Sequence, residues 1–140
     1  MGEHPERVRR RLVPDEAQVQ VILGSLLGDA RIAGRPGERY MSIAHRIDRS
    51  DYVWWKYERL AVFAAHAPIT FGEQVGFRTI AHPLFDDLAP LFGARRPDRA
   101  RVVRELLAPL GLAVWMTDVG RLELRAELFL PRQRELALSA

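Results

Sequence analysis

Val21-Ile22-Leu23-Gly24-Ser25-Leu26-Leu27-Gly28-Asp29-Ala30 is an apolar stretch with two glycines four residues apart and a single carboxylate near its end. Read as a helix, it stacks Gly24 and Gly28 one turn apart on one face, where a second helix can approach closely. A glycine inside a helix costs about 0.5–1 kcal/mol relative to alanine, so two of them imply a neighbour that needs the space. The pattern alone serves an ordinary core helix equally well, with Asp29 as its polar terminator.

The surrounding chain narrows the class. The apolar run from Val19 to Leu27 is interrupted by Gln20 and Ser25 and is too short to span a bilayer. Met1 to Val13 is charged and has no apolar core of a secretory signal, and cysteine is absent, so neither a disulfide framework nor a thiolate zinc site is available. These features lead us to expect a cytoplasmic protein without membrane association. At 140 residues and 48% hydrophobic content the chain fits one compact domain or two very small halves sharing a core. Net charge is only +3, yet Lys56 is the one lysine among 21 basic residues. Arginine grips phosphate and guanine through two parallel hydrogen bonds, which suits nucleic acid, although genome base composition can produce the same bias. The arginines cluster at residues 7–11, 31–39, 46–49 and 95–104, giving several basic surfaces around a near-neutral average.

Taken in order, a basic, mobile N-terminal arm runs to Val13 and a helix is expected from about Asp15 to Asp29. Gly34-Arg35-Pro36-Gly37-Glu38 carries turn chemistry between Arg31 to Ala33 and Arg39 to His45, which reads as a hairpin. A helix follows from Asp48 or Ser50 to His66, with Ser50 or Asp51 as its cap, and Trp54, Trp55 and Tyr57 are expected in the core, as is Trp115 later in the chain. Ile69 to Phe71 and Val75 to Ile80 flank Gly72-Glu73-Gln74 as a second hairpin, and Pro83 starts a short helix through Phe92. The arginine-rich Gly93 to Arg101 reads as a loop or helix lead-in. An apolar stretch occupies Leu106 to Val119, a strand Arg121 to Leu128, and a helical piece begins at Pro131. The order helix, hairpin, helix, hairpin, helix implies an α+β domain whose antiparallel sheet is covered on one face. Arginines on the other face would suit a DNA major groove.

Ile22 to Ala30 has an echo ninety positions later in Leu112 to Gly120 (LAVWMTDVG). This pair resembles the LAGLIDADG homing endonuclease family of the group I intron type, in which two such helices pack together and deliver acids to a shared metal site. The likeness extends to Asp51-Tyr52-Val53-Trp54-Trp55-Lys56-Tyr57-Glu58-Arg59-Leu60, similar to the family's DYLxWKYxxL, and to Phe77-Arg78-Thr79-Ile80-Ala81-His82-Pro83, similar to its RTxxHP segment. Leu107 to Met116 resembles LTPLALAYWFM. Together these cover roughly Asp15 to Leu138. The resemblance implies a fold of mixed helices on an antiparallel β-saddle in a single domain 1–140, with a first repeat over about 15–92 and a partial second over about 104–140.

It also implies an endonuclease that hydrolyses duplex DNA with Mg²⁺ or Mn²⁺, because phosphodiester hydrolysis calls for a hard cation held by carboxylates. Asp29 matches the family's metal-binding aspartate. At the equivalent place in the second helix stands Val119, which binds no metal; Asp118, one residue earlier and rotated about 100°, is the substitute candidate for a second metal-binding, catalytic acid. DNA contacts are expected at Arg31, Arg35, Arg39, Tyr40, Ser42, His45, Arg46, Arg78 and Thr79, and at Lys56, which aligns with a family lysine and otherwise reads as an exposed residue lying over its Trp neighbours. His45 and His82 read alternatively as strand-end or capping groups, since no spacing supports zinc.

Only residues 121–140 follow Gly120, too few for a second saddle of the size of the first. Three accounts follow: a weak or nicking enzyme remnant, a homodimer pairing through Gly24 and Gly28 that supplies two copies of Asp29, or a DNA-binding regulatory module without cleavage. An intron RNA maturase is a further alternative on the same scaffold.

Overall fold

The computed structural model describes residues 4–93 and 96–119. They divide into two compact units, one comprising residues up to Asp15 together with Ala30–Pro90, the other Glu16–Asp29 together with residues from Leu91 on.

In the first unit, α1 (Pro5–Arg10) is followed by β1 (Arg31–Ala33), β2 (Tyr40–Arg46), α3 (Ser50–Leu60), β3 (Ile69–Phe71), β4 (Gln74–Arg78) and α4 (Pro83–Leu88); α2 (Glu16–Leu27), α5 (Arg96–Arg101) and α6 (Pro109–Asp118) belong to the other unit. The strands form one antiparallel sheet in the order β1-β2-β4-β3. Glycine sets both turns. Gly34 and Gly37 adopt φ values of 91° and 86° between β1 and β2, and Gly72, at 59°, opens the tight β3–β4 turn; all three lie where a side chain would be strained.

Alternation along β2 decides the two faces. Met41, Ile43 and His45 are buried while Ser42 and Arg46 are exposed, with Tyr40 and Ala44 half-buried between them. Val75 and Phe77 of β4 join the buried face, and Val53, Lys56 and Leu60 of α3, at i, i+3 and i+7, form the buried stripe of the helix packed on it. The α+β class and the one-sided covering of the sheet agree with the sequence reading.

Three local expectations are corrected. The N-terminal arm is helical over Pro5–Arg10 and tied to its unit, with Arg9 donating from Nη1 to the Ala64 carbonyl (3.2 Å). α3 starts after a 3₁₀ turn at Ile47–Arg49, with Arg49 at its N-cap and no side-chain cap bond. Trp54 is exposed at 42%, stacked edge-on against Tyr57, so it is not a core residue. His82, by contrast, is the capping group expected: its Nδ1 accepts from Leu84 N (3.1 Å) at the head of α4, and its Nε2 donates to the Leu12 carbonyl (2.8 Å).

The second unit is built on α2 (Glu16–Leu27) and α6 (Pro109–Asp118), joined by α5 (Arg96–Arg101) and a π-helical turn at Val102–Leu106. α2 is buried on every side from Gln20 to Leu27, as its lack of a polar face requires. A methyl at Gly24 would strike the Gly111 carbonyl and Val114; one at Gly28 would strike Asp118; one at Gly111 would strike Gln20. The contact sequence Gln20–Gly111, Gly24–Val114, Gly28–Asp118 advances along both helices together, so they run parallel with their C-terminal ends side by side. The neighbour required by the two glycines is therefore α6 of the same chain. Pairing of two chains through Gly24 and Gly28 is corrected on that ground, because the face is already filled. The proposed strand at Arg121 to Leu128 and helix from Pro131 lie outside the described residues, as does Arg95.

Candidate functional site

The ends of α2 and α6 carry the acids. Asp118 is 2% exposed, and its Oδ2 accepts a hydrogen bond from the backbone N–H of Asp29 at 3.0 Å. Gly28 makes this approach feasible, since any side chain there would occupy the place of the Asp118 carboxylate. Asp29 is exposed, and one of its carboxylate oxygens lies within 4.8 Å of one from Asp118. Val119, past the end of α6, is 43% exposed and has no side-chain oxygen to contribute. Two like charges this close gain from a cation between them, and carboxylate oxygens are the hard donors that Mg²⁺ takes. The donor set therefore fits a divalent ion, with one oxygen of Asp118 committed to the Asp29 backbone and the Asp29 carboxylate facing solvent.

Two braces hold the helix pair, one at each end. Arg99 of α5 donates from Nη2 to the Leu27 carbonyl (2.8 Å), one of the carbonyls that the end of α2 leaves unpaired, and places a cation where the helix dipole is negative. At the other end, buried Gln20 accepts from Ala108 N (2.7 Å) and donates to the Leu106 carbonyl (3.0 Å), fixing the start of α6 against α2. Sequence reading missed both. The signal for Gln20 was a polar residue on an otherwise apolar helix; for Arg99 there was none.

The second group of expected residues lies on the sheet. Register aligns Arg31, Ser42 and Arg78 across β1, β2 and β4, and all three are exposed on the uncovered face. The Arg78 guanidinium sits 5.2 Å from the Tyr40 ring centre, on the same face. Arg46 is also exposed there, with Asp48 3.9 Å away. Arg35 projects from the β1–β2 turn beside Glu38 (3.4 Å). Arg39 is partly committed elsewhere: its Nε lies 3.4 Å from Asp86 Oδ1, the same oxygen that accepts from Gly37 N.

Three expected contacts are corrected by burial. Lys56 has no exposure at all; it belongs to the stripe of α3 facing the sheet, with Nζ 3.3 Å from His45 Nε2 and 4.7 Å from the Tyr52 ring centre. His45 is on the covered face of β2 for the same alternation that exposes Arg46. Thr79 is an internal staple: its Oγ1 accepts from Met41 N (2.9 Å) and donates to the Ile80 carbonyl (2.9 Å). Spacing already marked Lys56, which stands three residues after Val53 and four before Leu60. Conversely, Ile69 (55% exposed) and Phe71 (49%) were read only as strand formers.

Comparison with known proteins bears on the same features. A RecA protein of Mycolicibacterium chitae is 29% identical over 133 residues, which are 91% of this chain and 30% of that protein. A solved structure described as the homing endonuclease I-WcaI bound to its DNA recognition sequence shares the fold, with a TM-score of 0.68 at 16% identity over 80% of this chain and 55% of that one. The chain thus spans about a third of the first and about half of the second. No described helix is long and apolar enough to cross a membrane. Residues 19–135, which include most of α2, the sheet and α6, match the LAGLIDADG DNA endonuclease family, and the chain belongs to that family.

Proposed function

We propose that the protein is a DNA endonuclease of the LAGLIDADG homing type that hydrolyses phosphodiester bonds in duplex DNA with Mg²⁺ or Mn²⁺. The observation that carries this reading is the exposed Asp29 carboxylate beside the buried Asp118, at the shared end of two parallel helices. Asp29 and Asp118 would hold the ion, which when bound polarises a phosphate oxygen and offsets negative charge on the leaving oxygen. The chain's own contribution is positional. Asp118, through Asp29 N, fixes the backbone from which the Asp29 side chain projects, and Arg99 anchors the preceding turn. On the sheet, Arg31, Arg46 and Arg78 offer exposed guanidiniums for phosphates or guanine edges, with Ser42 and Tyr40 between them.

The missing acid at Val119 supports slow cleavage or nicking of one strand. It also favours a second reading, a DNA-binding module on this scaffold that has lost cleavage. The test is to incubate the protein with supercoiled plasmid bearing the gene's own insertion locus, uninterrupted by the insert, with Mg²⁺ or Mn²⁺. Nicking abolished by Asp29→Asn supports the enzyme. Salt-sensitive binding without a nick under either metal, indifferent to Asp29→Asn, establishes the binding module instead.

A further inference from the structure

The uncovered face of the sheet is chemically divided. Across β1, β2 and β4 runs the polar row Arg31–Ser42–Arg78. The next row along, Ala44–Gly76–Ile69 across β2, β4 and β3, consists of two small residues and one exposed isoleucine. The third, Arg46–Gln74–Phe71, ends in an exposed phenylalanine. Gly76 keeps the middle row low, since a side chain there would collide with the Ile43 carbonyl and Ala44. Ile69 and Phe71 therefore stand as an apolar rim on the edge strand, beside a shallow floor and within a face otherwise furnished with arginine.

An edge strand that leaves two large apolar side chains in water invites association with other chains, so their retention calls for an occupant. The guanidiniums of Arg31, Arg46 and Arg78 on the same face select a polyanion. Duplex DNA meets both demands through one group: the thymine C5 methyl is the apolar feature that base edges present in the major groove. Dimensions agree as well. Three strands about 4.8 Å apart span about 10 Å, close to the roughly 12 Å width of the groove. Residues two apart on one strand are separated by about 6.7 Å, which equals two base-pair steps of about 3.4 Å.

We infer that Ile69 and Phe71 are specificity-determining residues that read thymine methyls two base-pair steps apart, at the β3 side of the bound site. This rests on the duplex-DNA reading above and sharpens it: the side of the site beneath Arg31 and Arg78 is read through hydrogen bonds, the side beneath β3 through methyl groups.

The experiment selects bound duplexes from a random library with the full chain, then replaces each thymine of the selected site by uracil, which pairs identically but lacks the methyl. The expected result is a T-N-T spacing on one flank, with each of those two replacements weakening binding about fourfold, the worth of one buried methyl-sized group. Ile69→Ser should erase the effect at one position and Phe71→Ser at the other, while Phe71→Leu keeps it. Both side chains are half exposed, so the serine variants are expected to fold; circular dichroism and the retained affinity for the uracil duplex verify this. Binding of duplex DNA with no response to uracil on either flank, or a response that survives both serine variants, overturns the assignment and leaves DNA recognition intact. Absence of any duplex binding, or preference for structured RNA over duplex, overturns both.

Discussion

The helix pair and the sheet handle polar groups in opposite ways. Between α2 and α6 the polar side chains Gln20 and Asp118 are put to structural use: Gln20 spans to Leu106 and Ala108, Asp118 holds Asp29 N, and even the glycines are set by contact with the opposite helix. On the uncovered face of the sheet Arg31, Ser42, Arg46, Gln74 and Arg78 remain in solvent. One region is intolerant because it is filled; the other is available because alternation turned it outward. The difference separates residues whose loss unfolds the protein from residues whose loss changes only what it binds.

That contrast can be broken experimentally. The largest expected effect is on cleavage. Asp29→Asn should lower the nicking rate about 10²–10³-fold while leaving the melting temperature near that of the parent, because the side chain is exposed. Asp118→Asn should lower both, since its buried carboxylate also holds the backbone; equal melting temperatures for the two variants would dissolve the distinction between them. Gly24→Val comes next, at about 3 kcal/mol of lost stability in urea denaturation, because the added side chain must displace the Gly111 carbonyl and Val114.

The third test pits the two faces of the sheet against each other. Lys56→Ala should cost about 2–4 kcal/mol of stability, as a buried side chain is truncated beside His45 and Tyr52. Arg78→Ala should leave stability unchanged within about 0.5 kcal/mol, yet reduce the salt dependence of DNA binding by about one unit of slope. A stable Lys56→Ala variant with reduced DNA affinity would reverse the assignment. Smallest, and opposite in sign, is Ser25→Ala. Ser25 Oγ is fully buried without a hydrogen-bond partner, so its removal should stabilise the helix pair by about 1 kcal/mol, seen as a higher urea midpoint at constant slope.

Most of the architecture was legible in the chain. Periodicity located α2, α3 and α6, turn glycines located both hairpins, and Pro83 and His82 marked the start of α4, because each depends on residues within a few positions of one another. The candidate site was legible in part. Asp29 and Asp118 stood out as acids at helix ends, and Arg31, Ser42, Arg46 and Arg78 followed from their place on strands. His45 and Thr79 were misplaced because a polar residue type outweighed the positional pattern, and Lys56 because its match to a family lysine did. The alternation that exposes Arg46 also buries His45, and the helical spacing of Val53 and Leu60 buries Lys56.

By itself, then, the sequence determined α2, α3, α4, α6 and both hairpins, their order and the demand for a close neighbour at Gly24 and Gly28. Those are consequences of local backbone preference and of side-chain period. Only the tertiary structure decided that α6 meets that demand, that the two helices run parallel, and that Asp118 turns inward to hold Asp29 while Val119 faces solvent. The physical reason is distance along the chain: these outcomes rest on contacts between residues some ninety positions apart, where packing volume and one backbone hydrogen bond, rather than local propensity, select the arrangement.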